Sequence, residues 1–150
     1  MERVQQKYEN LTHALLALQN AIKALEFFEK EGKSFYPHLN YQEEYRMHRD
    51  SLIQRFEYSE DLFWKYLQIY LKEILAVEDV HGPKPVIRKS FSLHMLSESE
   101  AEQSLDMIKD RNLTSHIYVE EIAEFLAKKI PSYYELMQSV AQRLMPIAQG

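Results

Sequence analysis

The chain contains no cysteine. That excludes disulfides, thiolate metal sites and cysteine nucleophiles, and it is compatible with a reducing cytoplasm, where the protein is expected to work. Glycine and proline are scarce, at three and five of 150 residues, while Leu, Glu, Lys, Gln and Ala abound, a balance that favours an all-α fold. No apolar run approaches the ~20 residues needed to cross a bilayer, so no membrane association is expected. The segment Met1-Glu2-Arg3-Val4-Gln5-Gln6 lacks the apolar stretch of a signal peptide, and the N-x-T tripeptides at Asn10 and Asn112 are accordingly not expected to carry glycans. There is no Gly-rich phosphate loop, so the chain alone is not expected to hydrolyse nucleoside triphosphates.

A chain of 150 residues is long enough for one domain, spanning 1–150, that buries roughly 70% of its unfolded surface. Its formal net charge of −5 argues against broad, sequence-blind coating of nucleic acid. One stretch departs from that balance. From Gly82 to Leu96 there is no acidic residue, while Lys84, Arg88, Lys89 and His94 are all present. Its first reading is a solvated basic helix face; phosphate contact near a cleft is the alternative.

Apolar residues mark the helices. Leu11, Ala14, Leu15, Leu18, Ile22, Leu25 and Phe28 recur at three- and four-residue spacing and predict a helix from about Gln5 to Glu31. Gly32 and Pro37 mark a loop through Asn40. A long helix from about Gln42 to Val77 follows, with Tyr45, Leu52, Phe56, Phe63, Tyr66, Tyr70 and Ile74 towards the core. The further apolar residues Ile53, Leu62, Leu67 and Ile69 widen its stripe beyond one seam and suggest a second helix partner, such as another subunit. Pro85 can open a short helix reaching about His94. Ser97 to Glu100 offers a capping box for a helix over roughly Glu98 to Arg111. The last helix is expected to start after Tyr118, with Glu120 and Glu121 in its first turn, and to kink or restart at Pro131.

The densest chemistry lies in Arg111-Asn112-Leu113-Thr114-Ser115-His116-Ile117-Tyr118, with the spacing R-x4-H-x-Y. Seven arginines and six histidines would produce roughly 0.3 accidental R-x4-H pairs, and requiring the tyrosine lowers that to about 0.02. On a continuous helix, residues five apart sit about 140° apart, so the helix has to end between Arg111 and His116 if both are to meet one ligand. Asn112, Thr114 and Ser115 are poor helix formers and good caps. Arginine can hold a phosphate in bidentate fashion and histidine titrates near neutrality. Together they suit metal-independent RNA cleavage, with His116 deprotonating the ribose 2′-hydroxyl and Arg111 stabilising the phosphoryl oxygens. A plainer reading makes Arg111 a helix cap and His116 a donor to a backbone carbonyl. Arg88 and His94 are similarly spaced and read as helix-face residues. His13, His38, His48 and His81 form no HExxH or Glu-x-x-His pattern, so no metal site is expected. Glu57, Glu60 and Asp61 read as salt-bridging helix residues rather than an acid–base pair.

Preceded by Met107-Ile108-Lys109-Asp110, the segment Arg111 to Tyr118 resembles the signature of HEPN domains paired with minimal nucleotidyltransferases, also described as nucleotidyltransferase substrate-binding proteins. Arg49 to Tyr58 continuing to Trp64-Lys65, and Lys84 to Phe91, match in the same order, so the resemblance covers roughly residues 8 to 145. It implies an antiparallel four-helix bundle with an additional short helix, a homodimer whose motifs face one cleft, and a ribonuclease toxin of a type II-like toxin–antitoxin pair. By that resemblance Arg111 and His116 are catalytic. Tyr118 accepts AMP from ATP, transferred by the cognate minimal nucleotidyltransferase antitoxin, so the chain needs no cofactor of its own. Asp110, Asn112, Arg49, Glu57 and Arg88 would support the site or bind RNA or nucleotide. The rival reading is a non-catalytic nucleotide- or substrate-binding subunit of that nucleotidyltransferase; a third is a purely structural helical dimer. Two features depart from the pattern: Val119 stands where an acidic residue is usual, and Ser59 to Phe63 is more acidic than expected.

Overall fold

The structure, a computed structural model, describes residues 2–32 and 36–147. Helix α1 (Glu2–Glu31) buries Val4, Leu11, Leu15, Leu18, Ile22, Leu25 and Phe28 along one stripe, as the periodicity predicts. It stops at Gly32, whose φ of +62° suits a residue without a Cβ and whose N–H returns to the Phe28 carbonyl at 2.8 Å. Helix α2 (Tyr41–Glu73) begins at Asn40, whose side chain accepts the Glu43 N–H at 2.8 Å. The two helices run antiparallel. Arg3 meets Glu73 at one end, and the Phe28 ring stacks on Tyr41 at the other.

Helix α2 ends four residues short of the expected Val77, because Ala76 takes a left-handed conformation (φ 56°) and the Val77 N–H turns back to the Leu71 carbonyl. Helix α3 (Pro83–Ser92) starts two residues earlier than expected. Pro83 and Pro85 both fall in its first turn, where backbone N–H groups have no partner within the helix, so neither ring interrupts it. It also ends before His94, which is itself left-handed (φ 62°).

The capping box forms as expected: Ser97 Oγ accepts the Glu100 N–H at 3.1 Å and Glu100 Oε1 accepts the Ser97 N–H at 2.8 Å, opening α4 (Glu98–Arg111). A 3-10 turn over Asn112–His116 separates α4 from α5 (Glu120–Arg143). Helix α5 runs on through Pro131 as one element, so no restart occurs there.

Tyr45 and Arg49 of α2 meet Glu120 and Glu124 of α5, Phe56 stacks on Tyr133, and the Tyr66 hydroxyl donates to the Leu144 carbonyl. Residue numbers rise together along both chains, so α2 and α5 are parallel. Helix α4 runs against α5, with Glu100 bonded to Arg143 and Asp110 to Tyr133. The result is an up-down-up-down four-helix bundle of α1, α2, α4 and α5, with α3 as the additional short helix.

The surplus apolar residues of α2 have an explanation inside the chain. Ile53, Leu67 and Ile69 are buried by the single copy and Leu62 is half-buried against the same core, because α2 packs on α3, α4 and α5 as well as α1. Their burial needs no second subunit.

One buried polar contact ties α4 to α5 just before the 3-10 turn. Tyr133 Oη donates to Asp110 Oδ2 at 2.5 Å, and burial together with that bond holds the phenol far above its ordinary pKa. Tyr133→Phe keeps the ring packing and removes the donor, leaving a buried carboxylate short of a partner. It should cost about 2 kcal/mol in urea denaturation. A loss below a few tenths would show that Asp110 is satisfied without it.

Candidate functional site

Helix α4 ends at Arg111 because Asn112 and the residues after it tighten into the 3-10 turn. Thr114 Oγ1 closes that turn on the Arg111 carbonyl at 2.8 Å, the local hydrogen bonding that Thr favours over helix. The break between Arg111 and His116 is therefore where the spacing requires it. His116 and Tyr118 both emerge on the surface, Tyr118 with 79% of its area exposed. The His116 Nδ1 and the Tyr118 hydroxyl are 3.4 Å apart. A tyrosine that exposed does not staple the start of α5 by burying its ring.

The other motif residue faces inward. Arg111 Nε lies 3.4 Å from Glu60 and its Nη2 3.5 Å from Glu57, so two carboxylates of α2, one turn apart, hold the guanidinium. The Glu57 side is open, with both side chains about one-third exposed, whereas the Glu60 side chain is 4% exposed. Among the described residues no hydrogen bond or ion pair joins Arg111 to His116. The expectation that Glu57 and Glu60 form salt bridges holds, but their partner is Arg111, more than fifty positions away, rather than a neighbour on their own helix. Only Asp61 pairs locally, with Lys65 at 2.8 Å.

Burial is the larger influence on Glu60 and outweighs the attraction of Arg111, so its carboxyl is pushed up to about 7. At Glu60, Arg111 thus meets a carboxylate that is about half-titrated near neutral pH.

The remaining candidates divide. Asp110 is buried against Tyr133, with Lys129 at 4.0 Å. Asn112 is exposed as the C-cap of α4. Arg49 is 2% exposed; it donates to Glu120 at 2.7 Å, Glu124 at 3.1 Å and Asp50 at 3.1 Å. Burial opposes its charge, but these bonds outweigh burial and hold it above its ordinary pKa. Its donors therefore serve α5 rather than an open surface. Arg88 is exposed on α3 and lines a separate cavity with Lys89 and His81.

Val119 makes no side-chain cap at the start of α5, as its chemistry predicts. Glu120 is held there instead by Arg49 and by Arg46 at 3.2 Å, and these arginines lower its pKa. Beside the motif, Met47, Ile53, Gln54, Glu57 and Ile117 line an open groove of about 580 Å³. Among the described residues no group of three or more His, Asp or Glu is placed to hold a metal, and no helix is long and apolar enough to cross a membrane.

Fold and site define a small helical bundle that displays an Arg-His-Tyr turn at one side. The chain belongs to the nucleotidyltransferase substrate binding protein-like family, which it matches over residues 6–146. Among solved structures, a protein from Thermus thermophilus is similar, with a TM-score of 0.65 and 35% identity over 86% of this chain and 99% of that one. No curated protein matches the sequence.

A titration tests the Arg111 cradle. Because the folded pKa of Glu60 lies above its ordinary value, the protonated carboxyl favours the folded state at low pH. That advantage is lost as pH rises from the usual carboxylate range through about 7. Glu60→Gln should therefore be nearly neutral near pH 4.5 and stabilising at pH 8, by up to roughly 3 kcal/mol. Parallel melting-temperature curves for the two proteins between those pH values would contradict the assignment.

Proposed function

We propose that the protein is a ribonuclease toxin of the HEPN type, working in the cytoplasm with a cognate nucleotidyltransferase that silences it by transferring AMP to Tyr118. The observation that carries this reading is the exposed pair: a histidine nitrogen 3.4 Å from a tyrosine hydroxyl that is 79% exposed, one 3-10 turn beyond Arg111. The family name supports association with a nucleotidyltransferase.

In cleavage, His116 takes the proton of a ribose 2′-hydroxyl, whose oxygen bonds to the adjacent phosphorus. The bond from phosphorus to the 5′-oxygen breaks, leaving a 2′,3′-cyclic phosphate and a 5′-hydroxyl. Arg111 stabilises the phosphoryl oxygens through its half-exposed edge, where the phosphate displaces Glu57. The leaving oxygen needs a proton, and the motif histidine of a second copy supplies it in a homodimer. A strip on α2 supports that assembly: Met47, Ser51, Gln54 and Tyr58 share one face beside Ile117, with Met47 39% and Tyr58 58% exposed.

In silencing, the Tyr118 oxygen attacks the α-phosphorus of ATP bound by the partner and pyrophosphate leaves. The ester adds bulk and negative charge beside the cleft and repels RNA. The chain itself needs neither metal nor cofactor on this reading.

A second reading, a non-catalytic substrate-binding subunit, is favoured by the engagement of Arg111 with Glu57 and Glu60. Purified protein, RNA and the partner with ATP separate the two. His116→Ala should abolish cleavage while leaving helicity and melting temperature nearly unchanged. Tyr118→Phe should cleave like wild type yet gain no adenylyl mass with partner and ATP. Wild type that gains the adenylyl mass but never cleaves RNA would establish the second reading; equal mass gain in the Tyr118 variant would move the acceptor elsewhere.

A further inference from the structure

The end of the bundle remote from the Arg-His-Tyr turn carries a second, chemically different surface. A cavity of about 490 Å³ is lined by Arg3 and Lys7 from α1, Lys65, Gln68, Ile69 and Lys72 from α2, and residues 77–81. A neighbouring one of about 670 Å³ is lined by Arg88, Lys89 and Pro85 of α3 and shares Asp79, Val80 and His81 as its wall. The two form one cleft across a common ridge. The Gln68 side chain fixes that ridge by donating to the Val80 carbonyl at 2.8 Å.

Six cations line this cleft against two carboxylates, Glu78 and Asp79, in a protein of net charge −5. Arg3 and Lys65 are paired, with Glu73 and Asp61. Among the described residues Lys7, Lys72, Arg88 and Lys89 have no ion-pair partner. Lys65 and Lys72 are seven residues apart on one face of α2. The floor, Ile69, Val77 and Val80, is apolar, and no Phe, Tyr or Trp lines either cavity. The surroundings of the Arg-His-Tyr turn have the opposite balance: Asp50, Glu57, Glu60, Glu120, Glu121 and Glu124 outnumber Arg46, Arg49 and Arg111, with which most of them pair. That acidic end would not by itself attract a polyanion.

We propose that this cleft binds the phosphate backbone of RNA and so gathers the substrate for the remote turn. That the polyanion is RNA rests on the ribonuclease reading. With His81 the one aromatic ring among its lining residues, the cleft offers little stacking to single-stranded bases, so recognition is chiefly by charge and is blind to sequence. Along α2, Lys72 lies about 18 Å from Glu60, a span over which one strand of a nucleic-acid duplex presents several phosphates. A single RNA can thus occupy the cleft and still reach Arg111.

The test measures binding apart from cleavage. Fluorescently labelled 2′-O-methyl RNA lacks the nucleophile and cannot be cut; it is titrated as a single strand and as a duplex by anisotropy over a salt series. Wild type should bind both with strongly salt-dependent affinity, the duplex at least as well. Lys7→Glu with Lys72→Glu, and separately Arg88→Glu with Lys89→Glu, should each weaken binding at least tenfold and flatten the salt slope by about two. Melting curves confirm that each variant folds. No binding by wild type, or unchanged affinity in both double variants, overturns the proposal. So does loss of the nucleotidyltransferase instead of RNA, which would make the cleft a protein-docking surface. RNA bound through the cleft by a protein that never cleaves it would uphold the binding site but overturn its role in gathering substrate, along with the ribonuclease reading.

Discussion

The grip of Arg49 on the first turns of α5 is the contact from which the geometry of the Arg-His-Tyr turn follows. Helix α5 starts at Glu120 after a valine that offers no cap, so its first N–H groups gain nothing from the side chain before them. Its register is set from outside. A guanidinium only 2% exposed reaches Glu120 and Glu124 at once, and Arg46 takes the other Glu120 oxygen. The carboxylates also sit at the positive end of the helix dipole, where negative charge is favoured. At the far side of the turn Tyr133 fixes Asp110. With both flanks tied to rigid helices, the six residues from Arg111 to His116 have little freedom, and His116 and Tyr118 are displayed at a defined place on the surface.

Much of this could be read from residues alone because it depends on local chemistry. The stripe Leu11 to Phe28, the Ser97–Glu100 box and the break after Arg111 are each set by residues within a few positions of one another, and each occurs as predicted. The features that could not be read depend on contacts between distant segments. Ile53, Leu67 and Ile69 look surplus on α2 until α3, α4 and α5 are laid against it. Glu57 and Glu60 have the i, i+3 spacing of ordinary surface carboxylates; only the fold brings Arg111 between them. The basic surface was half legible. The acid-free stretch from Gly82 to Leu96 marks Arg88 and Lys89, but Arg3, Lys7, Lys65 and Lys72 join them only through the antiparallel pairing of α1 with α2.

Charge is therefore sorted along the bundle. From Asp50 to Asp61 helix α2 carries four carboxylates against Arg55, and from Lys65 to Lys72 two lysines and no carboxylate, before Glu73 ends it, so the two segments differ in sign some 10–20 Å apart, a separation comparable to or larger than the ~8 Å screening length at physiological salt. A net charge of −5 averages over this division and conceals it. On the proposal for the basic cleft, an anionic chain would be drawn to one end and held back at the other, which would leave the acidic end to be approached by contact rather than by steering.

Within that acidic end, the cost of burying Glu60 points to what it does. A buried ion pair is weak evidence for stability, because desolvation can exceed the attraction, and here burial does push the carboxyl up to about 7. Its effect is geometric. Held by Glu60 from beneath, the guanidinium presents its outer edge beside Glu57, the one partner that solvent can reach. On the proposed ribonuclease reading, a phosphate arriving there would exchange places with an exposed carboxylate and leave the buried one in position. The arginine would then need no reorganisation to receive it, which is the condition under which a fixed charge contributes most to stabilising a developing one.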